Sequence, residues 1–371
     1  MLSCLLLAAA QAAAPAPSGG APRDLPFSQG WELKGDAAVG SHDGRETLSA
    51  GTGWAYRRDV QLRDGTVELD LKVTARRSFV YVTFRMEDEQ EYEELYLRPH
   101  KSALPDAVQY APVRQGKSAW QLHHGPGGTA AVPIEHGKWT HLRLVLRDRT
   151  AALYLGSEAK PAFVARLDRE PRAGYLALRA FAADGAKGPV AWFSSVRTRP
   201  EAEALDADLV PPAPVDLPGV VKAWAVSEAL APLAEPSLVP PPARAYRTVP
   251  AEPGGLVSLL RHVKVPPEAK TWTTSARLQV RAEAAGPRQM DLGWSDTATV
   301  YLNGRPLFHA DARYSFDRPR QEGLVHLGQA SVFLPLQTGD NELVVVVSDV
   351  FGGWAVMGRF PDDRGLRVEA R

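Results

Sequence analysis

The 371-residue chain has one cysteine, Cys4. A lone thiol forms no internal disulfide and no thiolate metal centre. If the N-terminus is removed, no cysteine nucleophile remains. Net charge is also lacking: 43 Lys plus Arg balance 43 Asp plus Glu, so no bulk field draws nucleic acid or an anionic membrane. The apolar run Leu5–Ala10 is too short to span a bilayer. No Gly-x-Ser-x-Gly, dinucleotide-type Gly turn or His-Glu-x-x-His helix occurs. His123 and His124 are adjacent and would face apart on a strand, so no metal site is expected. Ala111–Ser118 imitates a phosphate loop, but Pro112 removes an amide donor and a strand pattern follows, so it reads as a turn.

What is present favours strands. Gly and Pro number 31 each, and apolar content of 44% with charged content of 23% is globular. The length implies two domains. Met1–Pro17 is similar to a secretory signal, with small residues at Ala10-Gln11-Ala12 and Ala12-Ala13-Ala14, although no Lys or Arg precedes the apolar run. Export to a periplasmic or extracellular space follows. Residues 18–25 form a leader.

Pro26 to Pro200 reads as nearly continuous short strands, the cleanest being Thr66–Val73, Thr140–Leu146, Ala151–Leu155, Gly174–Phe181 and Val190–Arg197. Regular spacing with turns between them predicts a β-sandwich. Residues 201–219 are a Pro-rich linker. Residues 220–371 predict a second β-sandwich, opened by Trp224–Ser227. Its best strands are Leu278–Ala282, Gln289–Trp294, Thr297–Leu302, Val332–Leu336 and Glu342–Ser348, with Asn303-Gly304 as a hairpin turn. Gly352-Gly353 suggests a tight turn that places Trp354 against the first sandwich. The fold class is therefore all-β, two sandwiches joined by a Pro-rich linker.

One stretch, Phe79 to His124, concentrates rings, guanidinium groups and acids. Period-two alternation puts Val80, Val82, Phe84, Leu95 and Leu97 inward. If Phe79–Arg85, Tyr92–Arg98 and Ala119–His123 are neighbouring strands, Tyr81, Arg85, Glu94, Tyr96, Arg98, Gln121 and His123 share the other face. The loop carrying His100, Asp106, Gln109 and Tyr110 leaves that face and is expected to complete it. Rings cover the C–H patches of a sugar while Arg, Glu and Gln meet its hydroxyls. A carbohydrate ligand is the expectation, with Tyr81, Tyr96 and Trp120 as candidate rings, although Trp120 falls on the oily parity. Glu87–Glu91 reads as a solvated loop; calcium there is left open, since no spacing specifies it. No other cofactor is expected, and a protein partner is the remaining alternative.

Two resemblances add to this. His136-Gly137-Lys138-Trp139 through Leu146, followed by Ala151–Leu155, resembles the concanavalin A-like lectin/glucanase superfamily with its laminin-G-like modules, over about Pro26 to Pro200. Asp296–Gly304 and Leu334–Leu343 resemble the galactose-binding-like jelly roll, over about Val220 to Arg371. The first implies carbohydrate on one sheet or its rim loops; the second is often a structural companion. Glucanases of the first kind carry Glu-x-Asp-x-x-Glu on a strand. Here Glu68 and Asp70 begin the pattern, and Lys72 and Val73 stand where the last Glu belongs. Non-catalytic binding is thus preferred. A sugar-acting hydrolase akin to the 3-keto-disaccharide hydrolases, with Glu94 and His100 as acid and base, is the alternative.

Overall fold

Alternating apolar residues need a second sheet to bury them, and each half of this chain supplies its own. A computed structural model describes residues 21–200, 204–231, 237–315, 317 and 322–371. The signal-like Met1–Pro17, with Cys4, lies outside the described residues. The chain is all-β.

The first half forms two eight-stranded antiparallel sheets. One runs in the order Phe163–Arg166, Thr150–Leu155, Trp139–Arg147, Gly65–Val73, Ala191–Arg199, Arg45–Ala50, Ala38–His42, with Arg23–Asp24 on its Ala191–Arg199 strand. The other runs Lys117–Ser118, Val108–Arg114, Tyr92–Leu97, Ser78–Met86, Gly174–Ala182, Thr52–Leu62, Glu32–Gly35, with Thr129–Ala130 on its Val108–Arg114 strand. Their inner faces meet in one apolar cluster that includes Leu69, Leu71, Val80, Val82, Leu95 and Leu97. The alternation read from Gly65–Val73 and Tyr92–Leu97 is the one that packs.

The second half pairs a seven-stranded sheet with a four-stranded one. Trp224, Leu278, Val345 and Trp354 lie in its separate core. Ala223–Ser227 is a strand of the larger sheet and Trp224 is fully buried. Asn303 and Gly304 turn the Thr297–Leu302 hairpin with φ of 50° and 76°. Residues 204–222 contain no strand; a single 3-10 turn, Ala207–Leu209, interrupts them. Arg166 donates to the Pro211 carbonyl, which ties this stretch to the first sandwich.

Two local expectations are corrected. Ala119–His123 is not a strand: Trp120–Leu122 is a 3-10 turn. The main-chain N–H of Gln121 donates to Gly352 O at 2.8 Å, so the second sandwich takes the donor that a ladder would have used. Trp354 does not reach the first sandwich; it is buried in its own core, where Nε1 donates to Val347 O. Its loop neighbour Phe351 makes the crossing instead.

Candidate functional site

The outer face of the Ser78–Met86 sheet is built by register. Directly paired positions in an antiparallel sheet point to one side. Trp54 pairs with Arg179, Arg179 with Tyr81, Tyr81 with Tyr96 and Tyr96 with Gln109, so five strands contribute one row. The adjacent row reads Tyr56, Ala177, Thr83, Glu94 and Ala111. Phe181 and Phe79 pair on the other side of the first row.

The row is knit by cations on rings. The Arg179 guanidinium lies 4.1 Å from the Tyr81 ring and 4.6 Å from that of Trp54. It donates to Glu94 at 3.4 Å. Glu94 is 2% exposed, and its burial raises its pKa despite Arg179 and the hydroxyl of Ser118. The Tyr81 and Tyr96 rings pack at 4.9 Å, tilted by 37°. Beyond them Arg98 spreads over the Tyr96 ring at 4.9 Å and donates to the Tyr96 hydroxyl, to Gln109 Oε1 and to Asp106 O. Gln109 Nε2 donates to the carbonyls of Trp120 and His123, both at 2.7 Å. That pair of bonds fastens the Trp120 turn above Tyr96 and Ala111, against which Trp120 packs.

The face is therefore half covered. Tyr81, Glu94, Tyr96 and Arg98 lie together, joined by Gln109, which sits on the Val108–Arg114 strand and not in a loop, but they form a buried floor rather than an open surface. What meets solvent is the other end: Trp54 and Phe79 are partly exposed, the Arg179 side chain is 22% exposed, and Phe181 is 41% exposed. Trp54, Arg179 and Phe181 are the residues that the sequence reading missed. Tyr175, Ala177, Arg179 and Phe181 alternate visibly in one strand, but nothing local says that this strand lies beside Ser78–Met86.

Four expected residues sit elsewhere. Arg85 adopts φ of 50° at a bulge against the Gly174–Ala182 strand, which reverses its side. It is buried against Glu93 and donates to the carbonyls of Arg63 and Asp148. Tyr110 belongs to the inner face of a strand, not a loop; its hydroxyl donates to Glu93 at 2.6 Å and accepts the Asp168 N–H at 2.7 Å. His123 packs edge-on against Tyr110, and burial lowers its pKa to about 4. Gln121 faces the second sandwich, accepting from Ser295 at 2.9 Å and donating to Glu322 O at 3.2 Å. Asp106 is at the margin, paired with Lys101 at 2.6 Å.

His100 lies beyond the Phe79 end, its Nδ1 beside Ser78 O at 3.1 Å; burial lowers its pKa. Glu94 pairs with Thr83 on the same strand, five residues from Ser78. At about 3.3 Å per residue that is roughly 16 Å of strand, too far for the two to serve one bond. The other carboxylate in that row, Glu32, pairs with Tyr56 and is held by Arg58; it lies four strands away, roughly 19 Å of sheet from Glu94. Elsewhere in the first sandwich, Glu68 pairs with Arg199, and Asp70 with Arg45. Within the Glu87–Glu91 loop, Glu87 and Glu91 pair with Arg169 at 2.6 and 2.8 Å, and Glu89 with Lys34 at 2.8 Å. No group of three or more potential metal ligands occurs among the described residues. A cavity of about 470 Å³, lined by Ala229, Leu230, Pro266, Lys270 and Trp272 among others, includes none of the candidate residues.

Neither a protein-family profile nor a curated protein matches the sequence. Solved structures similar to it are galectin-like and concanavalin A-like jelly rolls. A carbohydrate-binding module from Bacillus subtilis shares 14% identity over 45% of this chain and 94% of its own, with a TM-score of 0.35. A Bacillus licheniformis beta-glucanase shares 11% over 49% and 99%, at 0.37. A galectin from Caenorhabditis elegans shares 10% over 44% and 95%, at 0.29.

Proposed function

We propose that this protein binds a neutral carbohydrate, without cleaving it, at the open end of the outer face of its first sandwich. The observation that carries the reading is the in-register row Trp54–Arg179–Tyr81–Tyr96–Gln109, buried at one end and open at the other. A buried floor of packed rings, with the hydrogen-bonded Tyr96, Arg98 and Gln109, holds the open rings and Arg179 rigid, and rigid partners lose little entropy on binding. Trp54, Phe79 and Phe181 offer ring faces for sugar C–H groups. Arg179 retains donors not used by Glu94, and these suit hydroxyl oxygens. The Arg179–Glu94 pair cancels its own charge, which favours a neutral sugar over an anionic one. Retaining hydrolysis needs two carboxyls about 5 Å apart, and Glu94 has no such companion in the row. The N-terminal segment supports placing the protein outside the cytoplasm.

A glycan array probed with the full chain, followed by calorimetry on each hit, tests this. Binding that falls at least tenfold in Trp54→Ala and Arg179→Ala, with unchanged circular dichroism, is the expected result. An array that stays blank, or hits indifferent to both substitutions, overturns it.

A further inference from the structure

The open end of the face is not bounded by the first sandwich alone. Four aromatic side chains of the described residues are exposed: Phe181 at 41%, Tyr314 at 40%, Phe333 at 61% and Phe351 at 57%. Exposed rings are costly to keep in water, and a gathering of them marks recognition. Three of the four connect through Phe79 and Trp120 to the face described above. Phe181 lies 6.2 Å from Phe79, and Phe79 and Trp120 each pack against the same Tyr81–Tyr96 floor. Trp120 then meets Phe351 at 6.0 Å and the edge of Tyr314 at 5.6 Å. The Tyr314 hydroxyl accepts from Arg77, two residues before Phe79, at 3.3 Å. The rings thus follow one another from the first sandwich to the second.

The crossing is built rather than incidental. The loop bearing Phe351 is held from below by Asp296, whose carboxylate accepts the N–H groups of Val350 and Phe351 at 3.0 and 3.3 Å. It is fitted from the side by glycine. Gly352 has φ of 103°, and a Cβ there would lie 2.4 Å from Gln121 and 2.7 Å from Trp120. The Gly352 carbonyl takes the Gln121 N–H, while the Gln121 side chain bonds Ser295 next to Asp296. Only a residue without a side chain lets the loop come this close to the Trp120 turn. The same loop therefore pins Trp120 and holds Phe351 out to solvent.

Resting on the carbohydrate reading above, we infer that the site is composite and takes an extended oligosaccharide, with Phe351 and Tyr314 of the second sandwich carrying the units that Trp54, Phe79 and Phe181 do not reach. One sugar ring covers one aromatic face. A succession of rings running across two sandwiches is matched by a chain of sugars, and a monosaccharide would leave its far part wet.

The test uses the full chain and length ladders, from one to six units, of β-1,4-glucan, β-1,4-mannan, β-1,3-glucan and β-2,1-fructan. Affinity on the binding ladder is expected to rise at least tenfold between one unit and four or more. Phe351→Ala and Tyr314→Ala are each expected to cut the hexamer-to-monomer affinity ratio roughly three- to tenfold, the range of one lost ring contact. Both residues are exposed, so folding is spared. Phe333→Ala, an equally exposed ring on the Ala330–Leu336 strand, is expected to leave the ratio unchanged. A ladder that binds with equal affinity at every length, or a ratio unmoved by Phe351→Ala and Tyr314→Ala, overturns the composite site and leaves the binding face of the first sandwich standing. No binding to any ladder or to the array overturns both.

Discussion

Gln115 sits at a hairpin tip, and its side chain does the work of a strand. The Gln115-Gly116 turn has φ of 51° and 70°. From it the amide reaches the second sandwich: Nε2 donates to Leu260 O and Val263 O, both at 2.9 Å, and Oε1 accepts the Val265 N–H at 3.0 Å. Three main-chain groups are satisfied by one side chain. Gln115→Ala removes all three bonds without changing the backbone cost, because Gln and Ala are equally unsuited to a positive φ. Each bond is worth about 1 kcal/mol net. Water reaching the half-buried site and the rotamer freedom regained by losing the long side chain return part of that. The expected loss is about 2 kcal/mol. Urea unfolding reads the total, and hydrogen exchange reads the cause, since the Val265 amide should lose protection while those inside the Gly339–Asp349 strand keep more of theirs. If Val265 exchanges as in the parent, or the stability change is below about 0.5 kcal/mol, the amide is not joining the sandwiches and the reasoning fails.

Other outcomes follow from the same geometry. Arg98→Ala should cost about 3 kcal/mol of stability, because a buried cation binding Tyr96, Gln109 and Asp106 O is lost, and ligand affinity should fall only as far as the floor loosens. Thermal unfolding beside calorimetry separates the two effects. Glu94→Gln keeps the shape but removes the ionic partner of Arg179; a loss of about tenfold in glycan affinity is expected with an unchanged circular dichroism spectrum. Acid should weaken the fold in a defined window. The unfolded chain protonates His123 near 6.5, whereas the folded chain resists until about 4, so its stabilisation is full above 6.5 and is lost as pH falls to 4. His123→Gln should flatten the unfolding free energy across that window. A calcium chelator should leave binding unchanged, because the acids of the Glu87–Glu91 loop already pair with Arg169 and Lys34.

The strands were legible wherever alternation ran uninterrupted. Thr297–Leu302, with Asn303-Gly304 closing it, needs nothing outside itself, and Gly65–Val73 follows its own pattern nearly to the residue. The candidate face was legible only in part, for three physical reasons. Register between distant segments is invisible locally: Gly174–Ala182 inserts between Ser78–Met86 and Thr52–Leu62, and only that insertion brings Arg179 and Trp54 to Tyr81. A bulge resets parity, so counting by twos carried Arg85 to the wrong side. Tertiary contact overrode local preference at Trp120–Leu122, where a carbonyl from the second sandwich captured the N–H of Gln121. Burial was the other gap. Alternation tells which residues share a side, not what later folds over them.

Buried polar contacts between the sandwiches do more than hold position. Arg261 reaches across to Asp168, which also holds Arg114, and Gln115 and Gln121 both cross from the first sandwich, to backbone groups and to the Ser295 hydroxyl. Such contacts are specific in a way that grease is not, since a substitute lacking the matching acceptor leaves an amide or a guanidinium stranded. Gene recombination that shuffles either half onto a foreign companion would therefore yield a chimera with orphaned groups along its seam. In this protein the two halves have to be inherited as a pair.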